Sequence, residues 1–178
     1  MDEIKLKRIG RKMSFLLRHD PEDLKMDSKG WVKVTDLLKK LSISKDELDW
    51  IVDNNDKKRF SYDQFKQKIR ASQGHSLSVN VDMKLATDVD KLYHGTSPLL
   101  IKDILEKGLL PMSRQHVHLS KDIETAMIVG KRKGDSIVIL EVDSKSMQQD
   151  GVDIWVSDNG VYLTKYVNPK YIKLYEFK

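Results

Sequence analysis

Residues 44–71 read SKDELDWIVDNNDKKRFSYDQFKQKIRA, and within them the hydrophobic period changes from helical to strand-like. Ser44-Lys45-Asp46-Glu47 is a capping box: the Ser side chain can accept from the third helical N–H while the Glu reaches back to the Ser N–H. Leu48, Ile51 and Val52 then fall on one helical face. The chain next offers two short strand-like pieces, Arg59-Phe60-Ser61-Tyr62 and Lys68-Ile69-Arg70-Ala71, separated by polar residues that suit a turn. Upstream, Leu6, Ile9, Met13, Leu16 and Leu17 recur at helical spacing behind Asp2. Pro21 disfavours helical geometry in the residue before it, so that helix ends at Arg18-His19-Asp20. Thr35 is expected to cap a short helix through Leu41. Three helices followed by a hairpin is winged-helix order. Lys57-Lys58-Arg59 would open the wing, where such modules often touch phosphate backbones, although many bind only protein.

Residues 77–90 are mixed and polar, and the boundary between two lobes is placed there, giving 1–85 and 86–178. The second half reads as several short strands and helices. Leu92-Tyr93-His94 is expected as a strand running into a Gly turn, and Ser97-Pro98 opens a helix that Gly108 ends. Val117-His118-Leu119 is strand-like, with Ser120 expected to cap a helix reaching Gly130. The run 137–142 is a buried strand, Asp158-Asn159-Gly160 is a turn before 161–164, and 171–177 alternates as a closing strand. The fold class is α+β.

Composition limits the function classes. The absence of cysteine excludes disulfides and thiolate zinc sites and fits a cytoplasmic setting. No long apolar run argues for a membrane span. The net charge is +5. Up to Leu85 there are 19 Lys and Arg against 14 Asp and Glu, and from Ala86 onward 13 against 13. The positive excess is therefore N-terminal. A basic half suits a polyanion such as RNA or DNA, although on charge alone a lysine-rich solvated surface is the simpler explanation.

All five histidines lie in four short polar clusters: Arg18-His19, 70–76 (RASQGHS), His94-Gly95-Thr96-Ser97, and 114–120 (RQHVHLS). Arg offers a planar fork of donors that matches phosphate oxygens, and His donates, accepts or passes a proton near neutral pH. His116 and His118 have strand spacing and face one way, but no third ligand is evident, so no metal is expected. Neither a Gly-rich dinucleotide loop nor a P-loop is present. A bound nucleotide would need another scaffold.

Taken together and in order, these segments resemble the RNA 2′-phosphotransferase (tRNA 2′-phosphotransferase) family over nearly the whole chain. The motifs that carry the resemblance are 14–19 (SFLLRH), Asp56-Lys57-Lys58-Arg59-Phe60, and Ile69-Arg70-Ala71 with Gln73-Gly74-His75-Ser76. They continue through Tyr93-His94-Gly95-Thr96, Val117-His118-Leu119-Ser120, Val129-Gly130 with Arg132, and Asn159-Gly160-Val161 with Leu163-Thr164. The resemblance implies a winged-helix RNA lobe joined to an NAD-binding lobe of the ADP-ribosyltransferase type. It also implies NAD-dependent removal of an internal RNA 2′-phosphate, as at a tRNA splice junction. In that reaction the 2′-phosphate displaces nicotinamide from NAD⁺, and the neighbouring ribose 2″-hydroxyl then attacks phosphorus. RNA with a free 2′-hydroxyl and ADP-ribose 1″,2″-cyclic phosphate are released.

By the same resemblance, the family's essential Arg-His-Arg-Arg group falls on Arg18, His19, Arg70 and Arg132. His94, Gly95, Thr96, His118 and Ser120 match NAD-binding positions, with His94 toward the adenosine ribose and His118 toward the nicotinamide ribose. Lys57, Lys58, Arg59, Gln73, His75 and Ser76 are expected to contact the RNA substrate. NAD is consumed as a co-substrate, no metal is implied, and the protein is taken to act as a monomer. Protein-modifying relatives of this fold carry a catalytic Glu near the third motif. Here Asn159-Gly160 leads to Val161 instead. An RNA phosphate is already anionic and needs no general base. Two other functions share these features: a nucleic-acid-binding module with an inactive NAD lobe, and an ADP-ribosyltransferase that caps terminal phosphates of RNA or DNA.

Overall fold

A computed structural model describes residues 2–55, 57–87 and 89–177. Asp56 of the basic motif lies outside them. Helices and antiparallel sheets combine into an α+β architecture with two compact units, Met1–Asp82 and Met83–Lys178. The division falls after Asp82 rather than after Leu85, because Lys84 and Leu85 pair with Val156 and Trp155 of the second unit.

In the first unit, α1 (Glu3–Arg18) is capped by Asp2, whose carboxylate accepts from Lys5 N–H. Leu6, Met13, Leu16 and Leu17 are wholly buried along one face. Each such side chain contributes roughly 1.5–3 kcal/mol relative to exposure. A two-residue strand, β1 (Val32–Lys33), leads directly into α2 (Val34–Leu41). Thr35 is thus inside the helix rather than its cap. The cap position is Lys33, which makes no side-chain capping bond because β1 sets the entry geometry. The capping box at Ser44 forms as expected and opens α3 (Lys45–Asp53), burying Leu48 and Ile51 with Val52 packed half-buried beside them. Strands β2 (Phe60–Tyr62) and β3 (Lys68–Ala71) make the hairpin, and β1 adds to the far side of β3.

The second unit holds two antiparallel sheets. One comprises β4 (Lys84–Leu85), β6 (Val117–Leu119), β8 (Trp155–Val156) and β9 (Tyr162–Thr164) in the order β4-β8-β9-β6. The other comprises β5 (Lys91–Thr96), β7 (Val138–Asp143) and β10 (Ile172–Leu174) in the order β10-β7-β5. The backbones of Tyr93 and Ser120 exchange two 2.8 Å hydrogen bonds and join the sheets. Helices α4 (Ile101–Lys107), α5 (Ile123–Gly130) and α6 (Ser144–Gln149) complete the unit.

Two expectations are corrected here. Strand β5 continues through Gly95 and Thr96 instead of turning, because α5 lies directly on the Gly95 backbone. A Cβ at Gly95 would stand 2.2 Å from the Ala126 carbonyl oxygen, and Gly130 meets Gly95 in return. The cap of α5 is Asp122, accepting from Thr125 N–H at 2.7 Å. Ser120 lies two residues before that cap and instead bridges to Tyr93 through its backbone.

Candidate functional site

Helix α1 ends where the first cationic group begins. The Arg18 carbonyl, one of the orphan acceptors of a helix C-terminus, receives the Ser76 N–H at 2.9 Å and the Leu77 N–H at 3.3 Å. That docking brings the 73–76 segment to the end of α1. Ser76 Oγ lies 2.9 Å from His19 Nδ1. His75, 2 % exposed, has its Nε2 beside Gly30, 3.4 Å from where a Cβ would stand. Burial pushes its imidazole pKa down to about 4, and the charges of Arg18, Arg70 and His19 push the same way. His75 is therefore neutral at pH 7 and surrounded by cations. Arg18 and Arg70 are themselves buried, 8 % and 4 % exposed.

Arg70 is held from three directions. Its guanidinium stacks on the Trp31 ring at 4.3 Å. Its Nη1 donates to the Lys29 carbonyl at 3.4 Å and to the Asp82 carboxylate at 3.3 Å. Asp82 is largely exposed and shared with Lys29 Nζ at 3.2 Å. Arg70 Nε, Gln73 Oε1 and His75 Nε2 are buried without a hydrogen-bond partner among the described residues. Orphaned polar atoms each cost about 1–3 kcal/mol and cluster where function needs them. Two guanidiniums beside two imidazoles make a site for a multiply charged oxyanion.

The second unit assembles a histidine pair. The Tyr93–Ser120 bridge sets β5 beside the end of β6, so His94 Nδ1 reaches the His118 carbonyl oxygen at 2.9 Å. A carbonyl only accepts, so His94 Nδ1 donates this bond. Arg114 Nη1, which only donates, meets His118 Nδ1 at 3.3 Å. His118 Nδ1 therefore accepts this bond. These two bonds fix the orientation of both imidazoles at the meeting of β5 and β6. Thr96 shares the strand face of His94 but is buried, and Gly95 lies on the opposite face under α5. Arg132 is exposed on the 3-10 turn Lys131–Lys133, which packs against β5. His116 sits edge-on to Trp155 at 5.7 Å, with its pKa lowered by burial and by Lys165.

Residues 5–166 match the family model described as "RNA 2′-phosphotransferase, Tpt1 / KptA family". The chain belongs to this family. A Flavobacterium johnsoniae protein named "Probable RNA 2′-phosphotransferase" is 47 % identical over 185 aligned positions that cover all of both chains. Proteins of the same name from Trichormus variabilis and Fusobacterium nucleatum are 45 % and 43 % identical. They cover 98 % and 93 % of this chain and 99 % and 97 % of their own lengths.

Within this RNA 2′-phosphotransferase family chain, the residues singled out from sequence fall into three groups. Arg18, His19, Arg70, His75 and Ser76 gather in the first unit, with Gln73 on the same segment. Lys57, Lys58 and Arg59 lie just before β2, where Lys58 is exposed and Arg59 is tied to Asn55 Oδ1 at 3.4 Å. His94, Gly95, Thr96, His118, Ser120 and Arg132 lie on β5, on β6 and at their flanks. Sequence reading missed Trp31, Lys29 and Asp82 around Arg70, since nothing local to them signals a contact with β3. Arg114 stands in the 114–120 cluster, but its residue type does not mark it as a partner of His118. The four-residue step from Arg114 to His118 was the available signal. No described helix is long and apolar enough to cross a membrane.

Proposed function

We propose that this protein removes an internal 2′-phosphate from RNA, of the kind left at a tRNA splice junction, by transferring it to NAD⁺ as co-substrate. The observation that carries this reading is the first-unit cluster of Arg18, His19, Arg70 and His75 on a chain of this family. In the first step an oxygen of the RNA 2′-phosphate bonds to C1″ of the nicotinamide ribose as the C1″–nitrogen bond breaks. Nicotinamide leaves with the electron pair. In the second step phosphorus exchanges its bond to the RNA 2′-oxygen for one to the ribose 2″-oxygen. The proton lost from the 2″-hydroxyl is balanced by one gained at the RNA 2′-oxygen.

Arg18 and Arg70 hold the phosphate oxygens, and their fixed donors stabilise charge that builds around phosphorus. His19, oriented by Ser76, binds the phosphate and delivers the proton to the departing 2′-oxygen. The family resemblance assigns Arg70 and Arg132 each to the second step. The Tyr93–Ser120 bridge and the His94–His118 hydrogen bond bring these motif residues together, which supports reading them as NAD-binding residues with Gly95, Thr96 and Ser120. The element order of the first unit, with sheet order β1-β3-β2, supports reading it as a winged-helix RNA lobe, and the family resemblance alone supports reading the second as an ADP-ribosyltransferase-type lobe. Lys57, Lys58, Arg59, Gln73 and Ser76 complete the RNA contacts. The reading needs no metal and takes the protein as a cytoplasmic monomer.

The test is a short RNA carrying one internal 2′-phosphate, incubated with the protein with and without NAD⁺. NAD⁺-dependent loss of the phosphate with appearance of ADP-ribose cyclic phosphate supports the reading. A stable ADP-ribosylated RNA end, formed on terminal phosphates instead, would replace it with end capping. Arg18→Ala and His19→Ala should impair phosphate transfer more than NAD⁺ binding, and Arg70→Ala or Arg132→Ala should accumulate ADP-ribosylated RNA.

A further inference from the structure

The solvent face of α1 has a composition that neither the core nor the phosphate cluster uses. From Ile4 to His19 the chain contains no acidic residue. At about 100° per residue, Arg8, Lys12, Phe15 and His19 fall on one stripe, with Arg11 beside it. Arg8, Arg11 and Lys12 are exposed. The ion pairs of α1 involve Lys5 with Glu47 and Lys7 with Glu3. Among the described residues no carboxylate lies within ion-pair distance of Arg8, Arg11 or Lys12. Phe15 is 51 % exposed, although Leu16 and Leu17 beside it are fully buried. Its ring lies 5.8 Å from the His19 ring at a 46° tilt.

A half-exposed aromatic ring beside Arg8, Arg11 and Lys12, exposed cations with no ion pair among the described residues, is the composition of a single-stranded nucleic-acid track. Cations follow the phosphates and a ring receives a base. An apolar protein partner would not favour the flanking charges, and a rigid duplex would not present a base to Phe15. The stripe also has a direction. At 1.5 Å rise per residue, Lys12 lies about 10 Å and Arg8 about 16 Å along the helix axis from His19. That reach corresponds to a few nucleotides at about 3.4 Å per stacked base.

We propose that the Arg8–Lys12–Phe15 stripe of α1 binds the single-stranded RNA flanking the 2′-phosphate, with Phe15 stacking a base next to the nucleotide held by His19. The inference rests on the proposed function for the position of the phosphate, but the surface itself is testable without it.

The first measurement is binding of a labelled ten-nucleotide single-stranded RNA without any 2′-phosphate, and without NAD⁺, by fluorescence anisotropy. Base stacking on an aromatic side chain is worth about 1–3 kcal/mol, so Phe15→Ala should weaken binding by roughly 5- to 150-fold and Phe15→Tyr should restore it. Arg8→Gln with Lys12→Gln should reduce the salt slope by about 1.4, two phosphate contacts at about 0.7 each. Wild-type affinity in Phe15→Ala, an unchanged salt slope in the double variant, or equal binding of duplex and single strand would each overturn the proposal. The second measurement is the ratio of kcat/KM for a 2′-phosphorylated ten-nucleotide RNA over a 2′-phosphorylated dinucleotide. The ratio should fall in Phe15→Ala. Equal loss on both substrates would make Phe15 a positioning residue for His19 instead. Failure of the wild type to transfer phosphate from either substrate would refute the proposed activity while leaving the anisotropy result standing.

Discussion

His75 makes a quantitative statement about stability. It is 2 % exposed, and burial first, then Arg18, Arg70 and His19, push its pKa from 6.5 to about 4. The unfolded chain takes up a proton near pH 6.5, whereas the folded chain does not until about pH 4. Between those values the unfolded state binds more protons, so stability rises with pH and falls on acidification. The folded pKa is depressed, so the contribution is fully present above pH 6.5 and is lost as pH falls toward 4. At about 1.4 kcal/mol per pKa unit, the whole loss is about 3 kcal/mol, of which about 2 kcal/mol falls between pH 7 and pH 5. The reference is His75→Gln, which does not titrate. Urea unfolding of both proteins at pH 7 and pH 5 gives the difference, and carboxylates common to both cancel. The wild type should lose about 2 kcal/mol more than the variant. Profiles parallel to within about 0.5 kcal/mol would refute the idea that His75 is buried and neutral among cations.

Three further predictions follow from named contacts. Trp31→Ala removes the face on which Arg70 lies, a partly desolvated cation–π contact worth up to about 2 kcal/mol, so turnover of 2′-phosphorylated RNA should fall by up to about 30-fold. Trp31→Phe should restore most of it, and equal activity in all three proteins would remove Trp31 from the site. Gly95→Ala places a methyl 2.2 Å from a backbone carbonyl that no rotamer change can relieve, so thermal unfolding should show a loss at or beyond the upper end of the ~1–3 kcal/mol typical of overpacking. Glu141 is buried between Lys91 and Lys173, each 3.0 Å away. Burial raises its pKa, but the two lysines outweigh that and hold it below the usual carboxylate range. Its stabilisation is present above about pH 4.3 and is lost as pH falls through the folded value. Acid titration of Glu141→Gln should therefore show a smaller loss below pH 4.3 than the wild type.

What the sequence disclosed followed local physics. The α1 stripe, the Ser44 capping box and the β2–β3 hairpin each depend on neighbours a few residues apart, and all three stand in the structure. What it hid depends on distant partners. The short strands β1, β4 and β8 are two residues long and carry no periodicity. Gly95 looked like a turn because its reason for being glycine is the helix 31 residues later at Ala126. Ser120 and Asp122 are both good capping residues, and only the start of α5 at Ile123 selects Asp122. In the candidate site, the Arg and His residues stood out by type, whereas Trp31 and Asp82, which hold Arg70, did not. Residue type marks groups that touch a charged ligand, but not the neutral or exposed groups that aim them.

The way Arg70 is held bears on why the cluster is built at some cost. A buried guanidinium whose charge is left uncompensated is costly to the fold. Here its neighbours are an indole face, a backbone carbonyl and one largely exposed carboxylate. The indole and the carbonyl stabilise the cation without cancelling its charge. A buried carboxylate at the same place would neutralise it and compete with any incoming phosphate. Behind the larger effect of burial, the charges of Arg18, Arg70 and His19 also press the His75 pKa down. That arrangement lowers the stability of the free protein and is relieved when an anion arrives. Inorganic phosphate should therefore raise the unfolding free energy by RT ln(1 + [L]/Kd), about 2.7 kcal/mol at one hundred times Kd. It should also shrink the pH 7 to pH 5 loss assigned to His75, because the guanidinium charges are then partly neutralised. The part due to burial would remain. Phosphate stabilising wild type and Arg70→Ala equally would mean that the anion binds elsewhere.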